Sequence, residues 1–270
     1  MSIASQSRDP RRGQGRDTAE VLGCRIDRLD MEATVRLAAE TIERREYVQH
    51  TSINAAKLVA MHDDPELRRI IDDCALVNAD GQAVVWASQL LGDPLPARVA
   101  GVDLMFELLA LAQEQGYRPY VLGAAPQVLE RAIERLRQRY PRLQLAGWHD
   151  GYFPLNEQTR VAYEIRESGA DILFVAISSP LKERFLGSHG AGLGVPFVMG
   201  VGGAIDIVAG MTRRAPAVWQ RLGLEWLYRL LQEPRRMFKR YAITNVRFLV
   251  LVAWALVRRS HRRGTNTPRV

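Results

Sequence analysis

The chain has 270 residues, a mass of 30.4 kDa and 47% hydrophobic content, which fits a globular protein of one large or two small domains. Its formal net charge of +7 is lopsided: from Arg213 onward fourteen basic side chains face only Glu225 and Glu233, a local balance of +12 that leaves −5 for everything before it. A mildly acidic body with a strongly basic tail argues against a nucleic-acid-binding domain and for an enzyme held at an anionic surface.

Residues 1–20 open on an Arg-, Ser-, Gln- and Gly-rich stretch with no apolar signal segment, and are expected to be a disordered leader. The body, 21–212, alternates short apolar strands with helices. Val21 to Arg28 suits a first strand and turn, Met31 to Glu46 has apolar residues at helical spacing, and Tyr47 to Ile53 is a strand leading to Asn54. Ala55 to Met61 is helical, and Pro65 suits the first position of a further helix.

The apolar Ala75 to Val77 delivers Asp80 to the point where a strand turns into a helix near Gln82. In an open α/β sheet that is the edge where ligands bind, although an aspartate there equally suits a helix N-cap. A Gly-Asp-Pro-Leu-Pro turn then leads to Arg98, and Asp103 falls in the first turn of a helix over Val102 to Gln115.

Pro119 to Leu122, the turn 123–126 and the helix Gln127 to Tyr140 form a strand, a glycine turn and a helix. Unpaired N–H groups there suit an anion, while a plain strand-to-helix connection is the commoner meaning of such a turn. Leu143 to Ala146 is expected as a strand, followed by an aromatic loop containing Tyr152 and a helix over Glu157 to Ser168. Asp171 to Ile177 is a continuous apolar run of the kind buried on both faces of a parallel sheet, ended by Ser178-Ser179-Pro180. Pro196 to Met199 is the last strand. The Gly200, Gly202, Gly203 turn after it suits either a phosphate cradle or close packing.

The alternation predicts an α/β fold with a parallel sheet and helices on both faces, Rossmann-like but lacking GxGxxG after the first strand. A nicotinamide dehydrogenase is disfavoured on that ground. Cys24 and Cys74 lie 50 residues apart without CxxC spacing and the five histidines are scattered, so no zinc or redox motif is visible and a reduced, cytoplasmic compartment is expected.

The composition changes at 213–270, expected to be a basic, helical, membrane-associating appendage. Leu222, Trp226, Leu227 and Leu230 form an apolar stripe beside Arg229, and Phe248 to Val257 is uninterrupted apolar between Arg247 and Arg258-Arg259. Ten helical residues cover about 15 Å, roughly half a bilayer core, so this segment does not span. The arginine excess favours a helix lying among anionic headgroups. The alternatives are packing on the protein's own core or a homo-oligomer interface.

Several short motifs occur here in one order: Ser52-Ile53-Asn54, Asp80-Gly81, the Arg98 to Asp103 stretch, Gly151-Tyr152-Phe153, Ser179 to Glu183, Gly200 to Asp206, Arg214-Ala215-Pro216, and Gly223 to Arg229 with Glu233 to Arg236. Together they resemble the WecG/TagA/CpsF family of glycosyltransferases over about Val21 to Phe248. The resemblance implies sugar transfer from a UDP-sugar to an undecaprenyl-diphosphate-linked saccharide, at the cytoplasmic face of the bacterial inner membrane, with inversion and with neither metal nor other cofactor. The sequence agrees in having no Asp-x-Asp.

The same resemblance implies Asp80 as general base, with Ser52 and Asn54 orienting substrate. Ser52 stands where the family usually has Thr, and Thr51 offers a second hydroxyl, which leaves open which of the two acts. Arg98 resembles a phosphate contact, Tyr152 and Asp206 the donor nucleotide pocket, and Asp103, Gly200, Gly202 and Gly203 fall in matching motifs. Arg229, Arg236 and, in place of a third arginine, Lys239 match tail residues that fold over the site. Lys182 stands where many members have Gln, a departure that bears on substrate contacts. A non-catalytic peripheral membrane protein would explain the tail but not Asp80, Arg98 and Asp206. A soluble nucleotide-dependent enzyme would explain the sheet but not the tail.

Overall fold

The computed structural model describes residues 15–232 and 234–264. An antiparallel hairpin comes first, β1 (Thr18–Val21) and β2 (Cys24–Asp27), so residues 18–20, expected in the leader, are part of a strand. Leu22 and Gly23 at φ 51 and 79 supply the two left-handed positions that a two-residue turn of this hand needs. The leader's first fourteen residues lie outside the described part.

The body follows as α1 (Met31–Glu43), β3 (Val48–Ile53), α2 (Ala55–Asp63), α3 (Pro65–Asp72), β4 (Leu76–Ala79), α4 (Gln82–Leu90), α5 (Gly101–Gln115), β5 (Pro119–Gly123) and α6 (Pro126–Arg139). Then come β6 (Gly147–His149), α7 (Gln158–Glu167), β7 (Ile172–Ala176), α8 (Leu181–His189), β8 (Phe197–Gly200) and α9 (Ala204–Val208). The tail forms α10 (Ala217–Arg221), α11 (Glu225–Gln232) and α12 (Pro234–Gly264).

Six strands pair in parallel in the order β4-β3-β8-β7-β5-β6. The chain runs outward from β3 to β4, crosses to the far side, and returns through β7 and β8 to the other flank of β3. The earliest and latest strands of the sheet thus lie side by side, and a crevice at such a reversal is where open α/β sheets bind ligands.

Side-chain alternation builds the layers. In β7, Ile172 and Phe174 enter a core shared with α1, α5, α6 and α9, while Leu173 and Val175 enter one shared with α7 and α8. A third core joins the hairpin, α2, α3, α4 and one side of α12. Both faces of the sheet are therefore covered, which is why β7 is a continuous apolar run.

Two expectations change. Leu143 to Ala146 is not a strand: Leu143 and Leu145 pack beside the α5–α6 core, and pairing starts only where the Ala146 N–H reaches Pro119 O, with Gly147 opposite Tyr120. Gly147 is needed there because a Cβ would sit 2.6 Å from the Tyr120 ring. After the Ser178 to Pro180 break the chain also forms an unanticipated helix, α8, which buries Lys182 and Glu183 against the sheet.

The apolar tail segment sits inside one helix of 31 residues rather than forming a separate element. Phe248 and Val252 are buried against α2 and its neighbours, so one side of the segment does pack on the protein's own core. Ile243, Val246, Val250, Trp254 and Val257, spaced three and four apart, stay exposed on the other. Arg247 pins the helix to Asp63 through two contacts of 2.6 Å. Among the described residues no helix is long and apolar enough to cross a membrane.

Candidate active site

Asp80 stands at the C-terminal end of β4, with its N–H bonded to Ile53 O at 2.8 Å and its carboxylate accepting from the Gly101 N–H at 3.1 Å. It does not cap α4, whose first turn receives no side-chain hydrogen bond. The reading of Asp80 as the cap of α4 fails, and its carboxylate instead takes the first N–H of α5; at α2 it is Asn54 whose side-chain oxygen caps the helix, accepting the Lys57 N–H at 3.0 Å. Asn54 nevertheless flanks the site, since a Cβ on Gly81 would lie 3.5 Å from its own.

Burial raises the Asp80 pKa above its ordinary 3.8. The Gly101 hydrogen bond and the positive charges of Arg98 and Lys57 oppose that rise, and the negative charge of Glu225 adds to it. Proton affinity of this kind suits a group that takes a proton during a reaction.

Ser52 and Thr51 point to opposite faces of β3. The Ser52 hydroxyl is buried and has no hydrogen-bond partner among the described residues. A Cβ placed on Gly101 would meet Ser52 Oγ at 3.3 Å and both Asp80 Oδ2 and the Met199 methyl at 3.9 Å. The bare glycine therefore keeps space open between hydroxyl and carboxylate. Below Ser52 on the same face, His50 Nε2 lies 3.0 Å from Asn78 Oδ1, and Asn78 donates to Thr34. Burial pushes His50 down to about 3, so it is a neutral member of this layer.

On the other face Thr51 accepts from Lys57 Nζ at 3.0 Å, and Glu183 lies between Lys57 at 3.3 Å and Lys182 at 3.5 Å. Lys182 is held at about 8, chiefly by burial and then by the neighbouring Lys57 charge, while Glu183 lowers that cost. Glu183 itself titrates below its ordinary value: burial would raise it, but the two lysines outweigh that. Lys182 lies across Gly200, where a Cβ would come within 2.6 Å of its Cε, so this glycine serves close packing of a buried lysine.

The glycine turn continues through Gly202, at φ 49, to Gly203, whose Cβ would sit 2.6 Å from an Arg229 Nη and 3.5 Å from the Asp206 carboxylate. Arg229 on α11 thus reaches back over the start of α9, and its buried Nε has no hydrogen-bond partner among the described residues. Four residues earlier on that helix Glu225 accepts from Arg98 at 2.8 Å. Arg214 takes both oxygens of Asp103 and lies 3.7 Å from Glu225 through Nε. The tail therefore meets the Asp80 edge through charges of both signs.

Tyr152 is 79% exposed in the loop after β6 and stands apart from this group, with its N–H bonded to Asp150. The turn after β5 favours the plain-connection reading: at Gly123 a Cβ would lie 2.5 Å from the Ala176 backbone, and the Ala124 N–H is bonded to Ala176 O. The side chains of Arg236 and Lys239 lie outside the described residues. Sequence reasoning gave no role to Lys57, Glu183 and Glu225, although the last two lie within the quoted motifs. Charges that sit apart along the chain become partners only through the fold.

Among the described residues no three His, Cys, Asp or Glu side chains gather as a metal site would require. A family model described as the glycosyl transferase WecG/TagA/CpsF family matches residues 19–262.

Proposed function

The chain belongs to the WecG/TagA/CpsF family of glycosyltransferases, and from that premise we propose that it transfers a sugar from a UDP-sugar to an undecaprenyl-diphosphate-linked saccharide in building a cell-surface polysaccharide. The observation that supports this most is the raised-pKa carboxylate of Asp80 at the strand reversal, facing the unpartnered Ser52 hydroxyl across the space left by Gly101.

In the proposed step an acceptor hydroxyl oxygen attacks the anomeric carbon from the side opposite UDP. Its proton passes to Asp80, and the bond to the UDP oxygen breaks with the electron pair leaving on that oxygen. One displacement inverts the anomeric centre. Ser52 orients the acceptor, while Arg98 and Arg229 offset the charge on the departing diphosphate in place of a metal ion.

The exposed side of α12 and the arginines around it suit a protein lying on an anionic bilayer, here the cytoplasmic face of the inner membrane. That position brings the crevice to a lipid-linked acceptor.

The test is transfer from a panel of labelled UDP-sugars to membrane extracts containing undecaprenyl-diphosphate saccharides, with EDTA present. Label entering lipid from one donor supports the proposal. Transfer abolished by EDTA and restored by a divalent cation contradicts the metal-free step. No transfer from any donor contradicts the reaction.

A further inference from the structure

Glu225 is an acidic residue in a tail otherwise dominated by arginine, and its carboxylate points at two guanidinium groups beside the proposed base. Arg98 and Arg214 come from different parts of the chain, one just before α5 and the other just before α10, and both are largely buried, 15% and 21% exposed. Asp103 engages Arg214 through the two Nη atoms, leaving Nε directed elsewhere. Glu225 bonds Arg98 at 2.8 Å but reaches only to 3.7 Å from that Nε, which has no hydrogen-bond partner among the described residues. A single carboxylate is too short to satisfy both arginines. An anion with oxygens spread over two phosphorus atoms is not.

We propose that Arg98 and Arg214 form a paired-guanidinium site for a diphosphate, and that Glu225 holds its place in the free protein and leaves when the diphosphate arrives. The inference rests on the reaction proposed above and adds Arg214 and Glu225 to it. Of the two carboxylates present Glu225 is the one to give way, because it holds Arg98 through one hydrogen bond whereas Asp103 holds Arg214 through two.

The exchange also couples ligand to tail. Glu225 and Arg229 lie four residues apart on one face of α11, so both face the body. Diphosphate binding releases the acidic contact while Arg229 remains over the Gly203 turn. Here α11 is a strap with one fixed and one exchangeable fastening.

The experiment is calorimetric binding of UDP and of inorganic pyrophosphate to the full chain and to Glu225→Gln. Removing the resident charge is expected to tighten UDP binding about fivefold to tenfold, the scale of one net hydrogen bond. The gain is expected to vanish when Arg214→Ala is added. Glu225→Asp, which keeps the charge but draws it back from Arg98, is expected to move affinity the same way by less, and serves if the Gln variant does not fold. UDP binding unchanged or weakened in both variants overturns the place-holder role. Retained sugar transfer alongside that result leaves the proposed reaction standing. Absence of binding of either anion to native chain and variants alike overturns both.

Discussion

Two charged clusters lie on opposite faces of β3, one residue apart, and they are built to opposite ends. On the Thr51 face Lys57, Lys182 and Glu183 answer one another behind the sheet, with side chains only 3–12% exposed. On the Ser52 face the hydroxyl has no hydrogen-bond partner among the described residues, burial raises the Asp80 pKa, and the arginines nearby are held by carboxylates from elsewhere in the chain. On the Thr51 face opposite charges lie at 3.3 and 3.5 Å and so balance one another, although neither Glu183 oxygen has a hydrogen-bond partner among the described residues. Under the proposed function, the polar groups left open on the Ser52 face are the ones a substrate would bond.

Changing Glu183 to Gln should have the largest effect on stability, because it leaves two lysines buried without a counter-charge. A loss of about 3–5 kcal/mol is expected in denaturant unfolding, and an unaltered midpoint would mean that the charges do not balance as described. Next comes the pair of neighbours. Ser52→Ala should lower kcat about tenfold at unchanged stability, whereas Thr51→Val should cost about 1 kcal/mol of stability with kcat within about twofold. The reverse pattern would exchange the roles of the two faces.

The two sides of α12 extend the comparison to the tail. Val250→Glu on its exposed side is expected to weaken binding to anionic vesicles about tenfold with no change in unfolding temperature. Equal vesicle binding would remove the membrane role from this surface.

The Thr51-face cluster also carries a pH dependence. Lys182 titrates near 8 in the folded chain against an ordinary 10.5, so above about 8 the unfolded chain holds a proton that the folded one has lost. Stability from this group therefore rises with pH through that window. Tyr47, which burial pushes well above its ordinary 10.0, turns the trend downward beyond it. Lys182→Met should flatten the rise in unfolding temperature between about pH 8 and 10.

Much of the fold was legible because parallel strands and helices leave strong periodic signals, and β7 and the Asp80 strand tip stand where those signals put them. Leu143 to Ala146 misled because an apolar stretch tucked beside two helices has the composition of a short strand. Helix α8 was hidden by the Ser-Ser-Pro break and its weak apolar periodicity. The choice between Thr51 and Ser52 could not be made from alternation, since both faces of a covered strand are buried and the pattern does not say which one opens to a ligand. The Arg98–Glu225 pair was invisible for a different reason: 127 residues separate its members.

The central claim is that Asp80 takes the acceptor's proton, and the most direct measurement is transfer by Asp80→Asn beside its unfolding temperature. A loss of kcat of about 10²-fold or more is expected, the scale of general-base catalysis. The unfolding temperature should hold or rise, because the substitution removes a carboxylate that burial disfavours in its charged form. Transfer within a few-fold of the native rate, in a variant that folds, would contradict the account.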